Sequence, residues 1–119
     1  MGDDDLRAVS EATATHRQEV RRGSVVIASL LALREPDYGY ALLERLGTAA
    51  IDVDANTLYP LLRRLESQGL LTSEWNTDDV RPRKFYRTTA AGDALARELL
   101  DDHQRITDAL GRLAEGGPA

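Results

Sequence analysis

Asp54-Ala55-Asn56-Thr57-Leu58-Tyr59-Pro60-Leu61-Leu62-Arg63-Arg64-Leu65-Glu66-Ser67-Gln68-Gly69 is the stretch on which the fold turns. Asp54 is a good N-cap and Gly69 a good stop, so a helix over roughly 55–68 is expected. At 100° per residue, Leu58, Leu61, Leu62 and Leu65 fall on one side. Asn56, Pro60, Arg63 and Ser67 fall opposite, flanked by Tyr59 and Arg64. Pro60 is read as lying near the first turn, where its missing N–H costs little. One face is built to lie on a core. The other offers hydrogen-bond donors of the kind that meet phosphates and base edges: Arg pairs bidentately with guanine, Asn with adenine. A solvated helix face has the same composition, so the neighbouring elements must decide between the two.

Downstream, Leu70 to Trp75 and Arg83 to Thr88 alternate as strands, with Asn76 to Pro82 as a polar turn between them. The hairpin carries Arg81, Arg83, Lys84 and Arg87 near its tip and second strand, together with Asp78 and Asp79. A basic wing can follow the DNA backbone or enter the minor groove. Trp75 and Tyr86 are expected to pack the hairpin onto the helices, with their polar tips bonded.

Upstream, Leu6, Val9, Thr13, His16 and Val20 mark a weakly amphipathic helix that Arg21-Arg22 and Gly23 should end. Asp3-Asp4-Asp5 read as a disordered, solvated start. Ser24 then caps a buried helix from Val25 onward, closed before Pro36. Asp37 caps a short helix from Tyr38 to Leu46, with Tyr40, Leu43 and Leu46 on one side and Gly47 as its stop. Residues 48–53 connect, with Ile51 and Val53 touching the core. Thr89 caps a last helix to about Leu113, followed by a frayed Gly-Gly-Pro-Ala tail.

Compact helices followed by a hairpin give a mostly α fold with a small β-hairpin (α+β): a winged helix-turn-helix plus a long C-terminal dimerisation helix. Residues 1–22 are expected to form an N-terminal helix contributing to a dimer, 23–88 the winged helix-turn-helix, and 89–119 the dimerisation helix and tail. Leu99, Ile106 and Leu113 stand seven apart, with Leu95, His103 and Leu110 on the next track. Such a seam, with no later element to cover it, suits a second subunit. His103 on it reads as a ligand-pocket or pH-responsive group, or as an ordinary interface histidine; Leu99 and Ile106 complete a candidate effector pocket. His16 reads as a surface residue.

The chain carries a net charge of −5, yet residues 54–88 are net +1 with six Arg and Lys. A local basic face on an acidic body can still bind phosphate, in a salt-sensitive way. With no Cys, two distant His and no glycine-rich phosphate loop, the sequence offers no catalytic or metal constellation, so no enzyme activity, cofactor or metal is expected. No apolar run reaches the ~18 residues of a membrane span, and the cytoplasm is the expected location. Two function classes stay open. One is a sequence-specific regulator on double-stranded DNA. The other is a winged-helix protein-interaction module without direct operator binding.

Gly39-Tyr40, Asn56-Thr57-Leu58-Tyr59-Pro60, Arg63-Arg64-Leu65-Glu66, Gly69-Leu70, Ser73-Glu74-Trp75, Arg83-Lys84-Phe85-Tyr86-Arg87 and Thr89-Ala90-Ala91-Gly92 together resemble the PadR family of bacterial regulators. The resemblance runs through residues 22–92 and matches the short form with a single C-terminal dimerisation helix. It implies a homodimer, usually a ligand-responsive repressor, on a palindromic operator. It also implies that Thr57, Tyr59 and Arg63 in the helix and Arg83 and Lys84 in the wing approach DNA. Tyr40, Asn56, Pro60, Arg64 and Arg81 complete the candidate interface. Relatives often place an aromatic residue near the position of His103, facing a small-molecule pocket between subunits. Asn56 departs from the family's frequent Gly or Ser, and Asp78-Asp79-Val80 departs from its glycine-rich wing tip.

Overall fold

Leu58, Leu61, Leu62 and Leu65 are all buried in the structure, on the inner side of a helix that runs Ala55–Ser67. The computed structural model describes residues 2–78 and 80–116. Its elements, in chain order, are α1 (Asp3–Ala32), β1 (Asp37–Tyr38), α2 (Gly39–Thr48), α3 (Ala55–Ser67), β2 (Leu71–Asn76), β3 (Arg83–Thr88) and α4 (Ala90–Ala114). Met1, Asp79 of the expected turn and the last three residues of the expected frayed tail lie outside the described residues.

The largest departure from the sequence reading is α1. The break expected at Gly23, with Ser24 as a new cap, does not occur, and one helix of 30 residues continues through both. Glycine ends a helix efficiently by turning left-handed, and Gly23 does not. Its cost inside a helix, about 1 kcal/mol, is small beside the burial of Val25, Leu30 and Leu33 that follows. Asp3, Asp4 and Asp5 are likewise not a disordered start. They form the first turn of α1, where their charge complements the partial positive end of the helix.

After Pro36, Asp37 and Tyr38 do not open a helix. They form a two-residue strand against β3, pairing Asp37 with Tyr86 and Tyr38 with Phe85. The expected hairpin is therefore a three-stranded antiparallel sheet in the order β1-β3-β2. In α2 the core face is Gly39, Leu42 and Leu46; Tyr40, expected beside Leu46, is 65 % exposed. Gly47 does not stop α2 either. The helix ends as a Schellman turn in which the Ile51 N–H donates to the Leu46 carbonyl (2.8 Å) and the Ala50 N–H to that of Gly47 (3.0 Å). Ala50 takes the left-handed position, φ 64°, that glycine ordinarily fills. Helix α3 closes the same way, with Gly69 (φ 76°) in the equivalent place and the Leu70 N–H on the Leu65 carbonyl (2.9 Å).

Pro60 lies in the second turn of α3 rather than the first. It therefore withholds the N–H that would bond the Asn56 carbonyl, on the outer side of the helix.

The core gathers Leu30 of α1 and its C-cap Leu33, Leu42 and Leu46 of α2, the four leucines of α3, Leu71, Tyr86 and Ala96. Ile51 and Val53 pack against it as expected. Thr88 fastens the sheet to the end of α1: its N–H donates to the Leu33 carbonyl (2.8 Å) and its hydroxyl to the Leu30 carbonyl (2.6 Å). Thr89 caps α4 by accepting from the Gly92 N–H (3.1 Å) while donating to the Gly69 carbonyl (2.7 Å). A Cβ at Gly92 would stand 2.1 Å from the Leu70 carbonyl oxygen, so α4 starts directly on the backbone that leads into β2.

Two segments project from the core, and with them the molecule measures 59 × 34 × 23 Å. The first part of α1 leaves Leu6, Val9 and Val20 exposed, and the latter part of α4 leaves Ile106, Leu110 and Leu113 exposed. Trp75 is a further departure. Alternation puts it on the inner face of β2 after Leu71 and Ser73, but exposure rises along that face and Trp75 is 66 % exposed. The hairpin has outrun the helices by that point. Tyr86, nearer the base, is buried as expected.

Candidate nucleic-acid interface

Asp54 starts α3 by accepting a hydrogen bond from the Thr57 N–H at 2.8 Å. The leucine face then fixes the rotation of the helix, and Asn56, Thr57, Pro60, Arg63, Arg64 and Ser67 are exposed on its other side. Among the described residues, neither Arg63 nor Arg64 is in an ion pair, and the same holds for Arg81 in the wing. A guanidinium free of a carboxylate partner keeps all its donors for a ligand.

Tyr59 is half-buried, and its setting explains the Gly39-Tyr40 pair. A Cβ on residue 39 would lie 2.5 Å from Cε1 of the Tyr59 ring. The ring rests on the bare backbone at the start of α2, held at the margin of the exposed face, with exposed Tyr40 next in sequence to its support. Sequence reasoning placed both tyrosines at the interface. It missed Gly39, whose role shows only when the two helices are seen in contact.

The wing residues divide. Arg83 lies over the Tyr38 ring, 4.8 Å from its centroid, and Tyr38 stacks against Phe85 with centroids 4.0 Å apart. Lys84 turns to the inner face, where its Nζ is 3.1 Å from Glu66 Oε1 and 5.4 Å from the Tyr86 centroid. The Ser73 hydroxyl donates to the other Glu66 oxygen. This network joins the last turn of α3 to both wing strands. The Ser73 hydroxyl and then the Lys84 ammonium hold the Glu66 carboxyl below its ordinary value, outweighing desolvation. The hydrogen bond to Glu66 holds Lys84 above its own. Lys84 thus has a carboxylate partner, whereas Arg63, Arg64 and Arg81 have none among the described residues.

The candidate effector residues sit along α4, with Leu99 half-buried and His103 and Ile106 exposed. Among the described residues no group of three or more His, Cys, Asp or Glu is placed to hold a metal. Among the described residues no helix is long and apolar enough to cross a membrane.

A helix-turn-helix carrying a three-stranded wing, with an exposed cationic face on its second helix, is a winged helix-turn-helix. Residues 27–98, more than half of the chain, match the transcriptional regulator PadR-like family. The chain is 40 % identical over 80 residues to the transcriptional regulator Rv3488 of Mycobacterium tuberculosis, covering 67 % of this chain and 71 % of that protein. Its fold is similar to the crystal structure of a PadR family transcriptional regulator from Eggerthella lenta, with a TM-score of 0.86 and 47 % identity over 92 % of this chain and 97 % of that one. A transcriptional regulator from Clostridium thermocellum is similar at a TM-score of 0.71 and 26 % identity, covering 79 % and 96 % of the two chains. The chain belongs to the PadR-like family of transcriptional regulators.

Proposed function

We propose that this regulator is a homodimeric, ligand-responsive repressor that places two copies of α3 in successive major grooves of a palindromic operator. The observation that carries the reading is the outer face of α3. Among the described residues Arg63 and Arg64 have no carboxylate partner, Asn56 and Thr57 stand beside them, and four buried leucines hold that face outward. Asn56, Thr57, Tyr59, Pro60 and Arg63 read the groove with Tyr40 at its margin, while Arg64, Arg81 and Arg83 meet the backbone. Lys84 acts mainly by bracing the wing through Glu66. Exposed Leu6, Val9 and Val20 on α1 and Ile106, Leu110 and Leu113 on α4 supply the dimer contact. Two-fold symmetry then sets the half-sites about 34 Å apart. A small-molecule effector held near Leu99, His103 and Ile106 acts by favouring a dimer geometry that does not fit that spacing. Acting on the chromosome of a bacterial cell places the protein in the cytoplasm.

The test is a mobility shift with DNA from upstream of its own gene and with unrelated DNA, over a range of salt. Selective retention of the upstream fragment, lost in folded, dimeric Arg63→Ala and Tyr59→Ala variants, supports the reading. Equal retention of both fragments, beside tight binding to one protein partner, replaces it with the interaction-module reading.

A further inference from the structure

The continuity of α1 through Gly23 fixes two arginines that the winged helix alone does not include. Gln18, Arg21, Arg22, Val25 and Val26 follow the i, i+3, i+4, i+7, i+8 spacing of a single helix face. The later pair packs into and against the core. One turn earlier the same face becomes cationic, with Arg21 half-buried and Arg22 exposed. Across from it, Thr57, Pro60 and Arg64 of α3 form the other wall of a groove of about 770 Å³. Among the described residues, Arg21, Arg22 and Arg64 make no ion pair. Asp52 and Asp54 also line the groove, and Asp54 is engaged as the cap of α3. Three guanidiniums against two carboxylates leave the groove net positive on an acidic protein.

We infer that Arg21 and Arg22 of α1 bind the DNA backbone beside α3, extending the interface beyond helix and wing to the N-terminal helix. The inference rests on the DNA-binding reading above. A helix about 10–12 Å across fills a major groove about 12 Å wide, so both its flanks lie against phosphates. The flank bearing Thr57 and Arg64 is the one that faces Arg21 and Arg22. Contacts of this kind fix position and add affinity without reading sequence.

The experiment uses the full chain, a duplex selected by the wild-type protein from a random-sequence library, and an unrelated duplex. Fluorescence anisotropy at several salt concentrations gives Kd and its salt slope. Arg21→Gln/Arg22→Gln should weaken binding to both duplexes in equal proportion, on the order of 10-fold, and lower the slope by about 3 to 4 per dimer, which carries four of these arginines. Arg21→Lys/Arg22→Lys should restore most of both, whereas Arg63→Ala should selectively weaken the selected duplex. An unchanged Kd and slope in the Gln variant, with Arg63→Ala still defective, overturns the inference and leaves the DNA-binding reading standing. Dissociation of the Gln variant to monomers in sedimentation, with the affinity loss disappearing at concentrations that restore the dimer, assigns the arginines to the subunit interface instead. A wild-type protein that enriches no duplex from the library and does not bind the unrelated one overturns both readings.

Discussion

Replacing Gly39 by alanine tests how Tyr59 is held. The new Cβ would lie 2.5 Å from Cε1 of the ring and 3.2 and 3.3 Å from Cδ1 and Cζ. Carbon atoms rest at about 3.5–4.0 Å, so ring or helix must retreat by about 1 Å. Overpacking of this kind costs about 1–3 kcal/mol. Alanine returns about 0.4–1 kcal/mol, because the unfolded chain has less backbone freedom to lose. The half-buried ring has room to swing outward, which favours the low end of the cost. The expected net loss is about 0.5 kcal/mol, or about 2 °C in Tm for a chain of this size. The assay is urea or thermal unfolding at fixed protomer concentration, run as a double-mutant cycle with Tyr59→Ala. Once the ring is gone the clash is gone, so Gly39→Ala in that background should be neutral or stabilising by a few tenths of a kcal/mol. If Gly39→Ala is as destabilising without the Tyr59 ring as with it, the supporting role assigned to Gly39 is wrong.

Other positions give equally direct outcomes. Ala50 holds a left-handed conformation, so Ala50→Gly should raise stability by about 1 kcal/mol, while Gly69→Ala at the equivalent turn of α3 should lower it by a similar amount; denaturant midpoints measure both. Gly92→Ala sets a Cβ 2.1 Å from a backbone oxygen that no side-chain rotation can clear, and should cost about 2 kcal/mol or more in the same measurement. The Glu66 carboxyl is held below 4.5, so its pairing contributes fully above that pH and is lost as pH falls through the lowered folded value. Lys84 is held above 10.5, so the pair's contribution is present below that pH and lost as pH rises through the raised folded value. Glu66→Gln should therefore flatten the acid limb of a stability–pH profile; an unaltered limb would show that the pair contributes nothing there.

The legible parts of this protein were those fixed by local pattern. The leucine spacing of α3, its Asp54 cap and its Gly69 stop act within a few residues of one another, and the structure carries all three. The Thr89 cap of α4 is of the same kind. The illegible parts depend on what the chain meets elsewhere. Asp37 and Tyr38 are a strand only because β3 lies beside them, and a two-residue pairing leaves no period in the sequence. Gly23 and Gly47 resemble stops, yet each remains in its helix, and it is Ala50 that turns left-handed where the Schellman bonds to Leu46 and Gly47 close α2. Trp75 follows the alternation of a buried strand position but lies beyond the reach of the helices that would bury it. At the candidate site, the outward residues of α3 follow from the wheel alone, whereas the engagement of Lys84 by Glu66 joins residues 18 apart and could be read only from the fold.

The unbroken α1 is also a lever arm. Thirty residues at 1.5 Å each make a rod about 45 Å long. One end carries the apolar residues Leu6 and Val9, and the other is lodged among the leucines on which α3 sits. In the homodimer proposed above, a pivot of about 5° at the outer end would carry the core end through about 4 Å by the geometry of so long a helix. With a symmetric partner, the separation of the two reading helices would change by up to about 8 Å, about a quarter of a DNA repeat of about 34 Å. A hinge at Gly23 would have dissipated such a motion. The stiff rod gears it, so that a slight repacking between subunits becomes a misfit on the double helix.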